Sequence, residues 1–455
     1  MFVATANSEI NVDMSGIKSG GSLTVVDQSR DAFSQSAATM SATHSDSFFI
    51  GSAFFRSLWI PTSPSTKSMD GLGPLFNTNS CQSCHIRDGR GRPPESSEEP
   101  FRSIVVRLSI PVASAEHKKQ LLVDGAVPDP NYGGHFNYRS IPGVQREGNP
   151  ALSYREFKGH FADGQIYYLR KPSIGYKELA YGELHRQVMT SLRVAPALVG
   201  LGLLESIDSL EIEANADPED RNSDGISGRT NIVWDRQRKK LSLGRFGWKA
   251  SQPNLQQQTA SAFRDDIGIT SLMFPHQPCA SSQVKCAGAP AGGQPEISNV
   301  LLKFVTFYLK TLAVPAPRNI NNPEVIRGKE IFNRVGCALC HRPMFVTSDD
   351  QDFPALSRQQ IAPYTDLLIH DMGEGLADGR PDFEATGREW RTAPLWGIGL
   401  VETVNGHTYF LHDGRARNLT EAILWHDGEA KKSKEQFLTM PKKDRSELLR
   451  FIRSL

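Results

Sequence analysis

The chain has 455 residues, enough for two or three domains of ordinary size. Its 39% apolar and 22% charged content are those of a soluble globular protein. A formal net charge of +1 offers nothing to nucleic acid or to an anionic membrane surface. No run of about eighteen apolar residues is present, so no helical membrane span is expected. The first residues, "MFVATANSEINVDMSG", lack a basic region followed by a long apolar one, so no signal peptide is readable there.

In chain order, residues 1–45 are polar and weakly periodic and read as an extended arm. "DGLGPLFNTNSCQSCH" offers a short helix or turn that delivers Cys81, Cys84 and His85. A polar loop follows. "FRSIVVRLSIP" and "GQIYYLRKPSI" alternate loosely and predict two strands. Residues 178–207 carry helical spacing broken near Pro196. Ile297 to Val314 predicts a helix that "PAPRN" stops, and the boundary between a unit at 46–315 and one at 316–455 is placed there. "NPEVIRGKEIFNRVGCALCH" predicts a helix leading into Cys337, Cys340 and His341. "NLTEAILWH" predicts another, with Asn418 as N-cap. The chain ends in an amphipathic helix, "KKDRSELLRFIRSL".

The six cysteines form three close pairs. Two of them stand in C-x-x-C-H, the attachment signature of c-type haem. The two thiols become thioethers to the haem, and the adjacent histidine is placed to ligate the iron. Two such matches in one chain predict two covalently bound haems. A four-cysteine zinc site would leave the two histidines without a reason to be there. The expected fold class is mainly α with a small β component, organised as two cytochrome c-like haem domains. Attachment of this kind occurs outside the cytoplasm, so a periplasmic location is expected. An oxidising compartment would also let Cys279 and Cys286, in "PCASSQVKCAG", close a local disulfide.

"DPEDRNSDGISGR" places Asp220, Asn222 and Asp224 before Gly225, like the first half of a calcium loop. Asn231 stands where an EF-hand has its bidentate Glu, so the choice is between a different calcium site and a plain Asx-rich turn.

"GPLFNTNSCQSCHIRDGRGRPP", "RVAPALVGLGLLE", "GRFGWKASQPNLQQQTASAFRDDIGIT" and "FLHDGRARNLTEAILWHDGEA" resemble the di-haem oxidoreductase branch of the bacterial di-haem cytochrome c peroxidase and MauG superfamily. The resemblance runs from about residue 45 to the end. It implies that the first haem meets peroxide and the second relays electrons. Peroxidase members carry an aromatic-D-G-R-A stretch, a Gln seven after that Arg, and a Glu ten after the Gln. Here "FGWKA" puts Lys249 at the Arg position, Gln256 seven later and Asp266 ten after that, with Asp265 the near competitor. A distal carboxyl can take and return the peroxide proton, and an amide can orient the peroxide. Trp248, beside this segment, is the candidate to carry charge between the haems. The upper ligand of the second haem is implied fourteen residues after the His of H-x-G. His412 opens that motif, so the implied ligand is His426, with His412, His370 and Met372 as alternatives. The first haem is expected to keep an open or water-bound side, with His135 the remote substitute.

Two functions follow. One is a periplasmic enzyme that reduces hydrogen peroxide, or another small oxidant, or uses it to oxidise a substrate. Its electrons would come from a small cytochrome, a copper protein or a quinol pathway. The other is a non-enzymatic di-haem electron-transfer cytochrome.

Overall fold

The structure is a computed structural model that describes residues 18–38, 40–62 and 69–455. Much of the arm expected over 1–45 lies outside those residues. The described part of it is not uniformly extended. It holds a short turn, a strand Thr24–Val25 beside Val314–Pro315, and the start of a helix at Ala42.

The architecture is mixed, which corrects the expectation of a mainly α protein built as two cytochrome c-like domains. Helix accounts for 30% of the chain and strand for 19%. The strands form seven separate two-stranded sheets among the described residues. The longest is a hairpin, Asn149–His160 against Ile166–Lys177. Ile104–Ser109 pairs antiparallel with Met189–Val194. That second strand falls within residues 178–207, where helical spacing suggested a helix. Only Leu201–Glu205 of that stretch is α-helical. Pairing with Ile104–Ser109 wins because it buries Leu192 and Val194 against Val106 and Leu108.

The helices form where local signals and an apolar stripe agree. Ala42–Arg56 is capped by Ser41, whose hydroxyl accepts from the His44 amide. It packs on Asn299–Lys310, capped in the same way by Ser298. Phe48, Phe55, Val305 and Tyr308 close that core. Pro323–Arg334 begins with Asn322 as N-cap and Pro323 in its first turn, where a missing amide costs nothing. It lies against the last helix, Lys442–Ser454. Gly328 permits the close approach, since a Cβ there would stand 2.1 Å from the Glu447 carbonyl oxygen. The largest apolar core, from Leu23 to Leu455, gathers residues from both sides of Pro315. Cys279 and Cys286 are joined in a disulfide. No described helix is long and apolar enough to cross a membrane.

Candidate functional site

The two C-x-x-C-H segments fold alike. In the first, Ser80 caps a short turn over Cys81–Ser83. The His85 amide donates to the Cys81 carbonyl at 3.0 Å, which turns the imidazole back over the cysteines. His85 Nδ1 donates to the Pro196 carbonyl at 2.8 Å. In the second, Gly336 takes the left-handed conformation that ends the preceding helix, with a φ of 83°. Cys337–Leu339 turns, and His341 Nδ1 donates to the Tyr364 carbonyl at 2.9 Å. In both, one ring nitrogen is fixed by a backbone oxygen and Nε2 is left to bind a metal. Burial lowers both histidines to about 4, so they stand neutral, as ligation requires. All four cysteines are free of disulfides, and burial pushes Cys81, Cys84 and Cys337 up to about 12. These donor sets fit two covalently held haems.

The loop after His85 is held unusually. Arg87 and Asp88 have φ of 52° and 60°, left-handed values that non-glycine residues seldom adopt. Buried Asp88 accepts from Tyr308 Oη at 2.7 Å and from Ser34 Oγ at 2.6 Å. These bonds tie the strained turn to the helical core.

Asp266 lies beside the first cysteine pair. The helix Leu255–Ala262, capped by Asn254, widens into a π-turn over Phe263–Ile267, a local feature frequent at functional sites. The Asp266 carbonyl accepts from the Asn77 and Thr78 amides, just before Cys81. Its carboxyl is pushed up to about 7, first by burial and then by the charge of Asp265, while Arg107 opposes the shift. Burial would also raise Asp265, but Arg264, 2.6 Å away, holds it well below the usual carboxylate range. Asp265 further accepts from Ser261 Oγ. Two adjacent carboxyls are thus driven to opposite protonation behaviour, a pattern that separates an acid-base group from a structural one. His135 stands between them, 3.6 Å from Asp265 and 3.7 Å from Asp266. Asp266 Oδ1 and His135 Nδ1 are both buried without a hydrogen-bond partner among the described residues.

Gln256 is not brought to this place. It is half-buried, lines a separate surface hollow with Asn254 and Lys303, and donates to Asn299 Oδ1 at 3.4 Å. Neighbouring residues on a helix point about 100° apart, and it is Gln257 that faces the cavity in front of Asp265. Lys249, at the position of the expected Arg, is fully buried. Its Nζ donates to Asp378, to the Arg380 carbonyl and to the Thr386 carbonyl. Burial lowers it to about 8.

At the second centre, Cys337, Cys340, His341, His426, Met372 and Trp248 share the wall of one largely apolar cavity. His426 caps the end of the helix Leu419–Trp425, and its Nδ1 donates to the Ala422 carbonyl at 2.7 Å, again leaving Nε2 available. His370 has both ring nitrogens engaged, with Asp366 at 2.8 Å and Glu429 at 2.7 Å. His412 is stacked on Trp390 with a ring separation of 3.6 Å.

Trp248 joins the two regions. Its Nε1 donates to the Val194 carbonyl at 2.9 Å. Two residues on, the Pro196 carbonyl holds His85. One short backbone segment therefore links the first histidine to a tryptophan on the wall of the second cavity. Pro196 and His135 reach the first centre from distant parts of the chain, and no local sequence signal marks Pro196 as a ligand's partner.

Asp220, Asn222 and Asp224 do come together, but on their own backbone. The Gly225 amide donates to Asp220, the Asp224 amide to Asn222 Oδ1 and the Ile226 amide to Asp224. These are the bonds of an Asx-rich turn, and Asn222 Nδ2 also donates to Asp224 at 3.0 Å.

No curated protein and no solved structure matches the chain. A family model described as "Di-haem oxidoreductase, putative peroxidase" matches residues 13–455. With the two cysteine–histidine motifs folded alike, the chain belongs to this di-haem oxidoreductase family.

Proposed function

We propose that the protein is a periplasmic di-haem c-type oxidoreductase that reduces hydrogen peroxide at its N-terminal centre. Haems held by Cys81, Cys84 and His85, and by Cys337, Cys340, His341 and His426, would supply the redox-active iron. Two electrons and two protons convert one peroxide into two waters, the electrons coming from a small cytochrome, a copper protein or a quinol pathway. Asp266 takes the proton from the near oxygen of peroxide and returns it to the far oxygen, so that the leaving group departs as water. Arg264 keeps Asp265 ionised, and that charge in turn keeps Asp266 near neutrality in acidity. His85 is held in register by Pro196. Trp248 offers the route by which the second centre supplies electrons.

The observation that carries this reading is a pair of adjacent carboxyls beside the first cysteine pair, Asp265 held by Arg264 and Asp266 buried with Oδ1 unpartnered among the described residues. It supports a proton-transfer site, which an electron-transfer cytochrome has no use for. The test is to add peroxide to the oxidised and the reduced holoprotein and follow the Soret band. Peroxide should change the band within one turnover and re-oxidise the reduced form. A band unmoved in both forms would leave only electron transfer.

A further inference from the structure

A cavity of about 370 Å³ opens beside the first centre, within the range that takes small molecules. It reaches the surface at Asp124 and Ser281. Its floor carries Arg107, His135, Asp265 and Arg380, and Phe383 and Val123 give it an apolar wall. Asp266 lies behind His135 and Asp265, so a molecule in the cavity sits one residue from the proton-transfer group.

Charged groups crowd the floor and the space behind it. Arg107, Arg193, Lys249 and Arg380 are four cations, and the carboxylates set among them are Asp378 and Asp382. Arg193 pairs with Asp382 at 2.6 Å and Lys249 with Asp378 at 2.8 Å. Arg380 also turns to Asp382. The other carboxylates of the cavity are spoken for. Asp265 is held by Arg264, and Asp124 pairs with Arg236. Asp129 accepts from the amides of Asn131, Tyr132 and His185.

Arg107 remains. Among the described residues it makes no ion pair and no side-chain hydrogen bond, and its Nε is buried without a partner. It stands on Ile104–Ser109, where Val106 and the neighbouring Leu108 go into the core while its own side chain helps to line the cavity. Asp382 and Asp265 attract it without pairing with it, and each of them is committed to another guanidinium. An unpaired guanidinium presents a planar fork that matches a carboxylate.

We propose that this cavity binds a small organic carboxylate, its anionic end on Arg107 and its apolar body against Phe383 and Val123. The placement beside the reacting peroxide rests on the reading of Asp266 given above, while the binding itself does not. The bound molecule is then a candidate substrate or effector of the first centre.

The experiment is calorimetric titration of the holoprotein with benzoate and with its neutral isostere benzamide. Benzoate should saturate one site, and benzamide should bind at least about tenfold more weakly, since it lacks the charge. Arg107→Gln should weaken benzoate by a similar factor. Arg107→Lys, which keeps the charge and loses the fork, should fall between. Benzoate that fails to bind, binds no better than benzamide, or is indifferent to Arg107→Gln would overturn the proposal. The comparison of the two probes on the unaltered protein decides the matter even if Arg107→Gln does not fold. Peroxide reactivity is measured on the same samples. Its absence with benzoate binding intact would overturn the peroxidase reading and leave the carboxylate site standing. The reverse result would overturn the carboxylate site alone.

Discussion

Replacing Asp266 by Asn is expected to slow single-turnover reaction with peroxide by about 10²–10⁴-fold, the usual worth of general acid-base catalysis. The first C-x-x-C-H turn should survive, because Asp266 is tied to the residues before Cys81 through its backbone carbonyl and not its side chain. The pH dependence gives a second signature. With Asp266 pushed up to about 7, its proton-accepting form grows as pH rises through neutrality, so the wild-type rate should climb to about pH 7 and then level. Asp266→Asn should remove that limb. Asp265→Asn should cost much less, because Asp265 is committed to Arg264 and Ser261. It should also move the limb to lower pH, since it removes the charge that helps to raise Asp266. Stability should follow the same group. Its folded value lies above the ordinary aspartate value of about 3.8, so between about pH 4 and 7 the folded state holds a proton that the unfolded chain has released. That contribution is fully present below about pH 4 and is lost as pH rises through 7. Asp266→Asn, which cannot ionise, should escape the loss, and its urea midpoint should vary less over that interval. Equal and small kinetic effects at both aspartates would remove the catalytic assignment.

Replacing His426 by Ala should shift the second haem from low spin toward high spin and raise its potential, because a strong imidazole donor is lost. The assignment rests on three features. His426 shares a cavity wall with His341, its Nδ1 is fixed on Ala422, and its Nε2 is left available. His370→Ala should leave the spin state unchanged, since Asp366 and Glu429 occupy both of that ring's nitrogens. Absorption and electron paramagnetic resonance spectra distinguish the outcomes. An unchanged spectrum in His426→Ala together with a spin change in His370→Ala would move the ligand to the segment around His370.

The parts of the molecule that could be read from sequence are those whose chemistry is local. Two thioether attachments and a ligand need Cys, Cys and His within five positions, so Cys81 to His85 and Cys337 to His341 stand out. The helix Leu419–Trp425 was equally plain, because its cap, its apolar stripe and its length agree. The long hairpin was only half seen. In Asn149–His160 only Leu152 is buried, so burial imposes no alternation for a reader to find. Residues 178–207 carry helical spacing as a whole, and only the distant partner Ile104–Ser109 makes Met189–Val194 a strand. Gln256 and Asp266 keep the family spacing yet do not meet. The π-turn at Phe263–Ile267 changes the rotation between them, and a count of residues does not record it. The roles of Arg107 and Pro196 were out of reach for a simpler reason. Each acts through neighbours that lie far away in the sequence.

The central claim is that two haems are covalently held, one by each C-x-x-C-H segment. Mass spectrometry of the intact, denatured protein tests it most directly. The polypeptide is 50.3 kDa, and the account predicts an excess of two haem masses that survives denaturation and falls by one when Cys81 and Cys84 are both replaced by Ser. An excess of one haem, or of none, in the unaltered protein would contradict it.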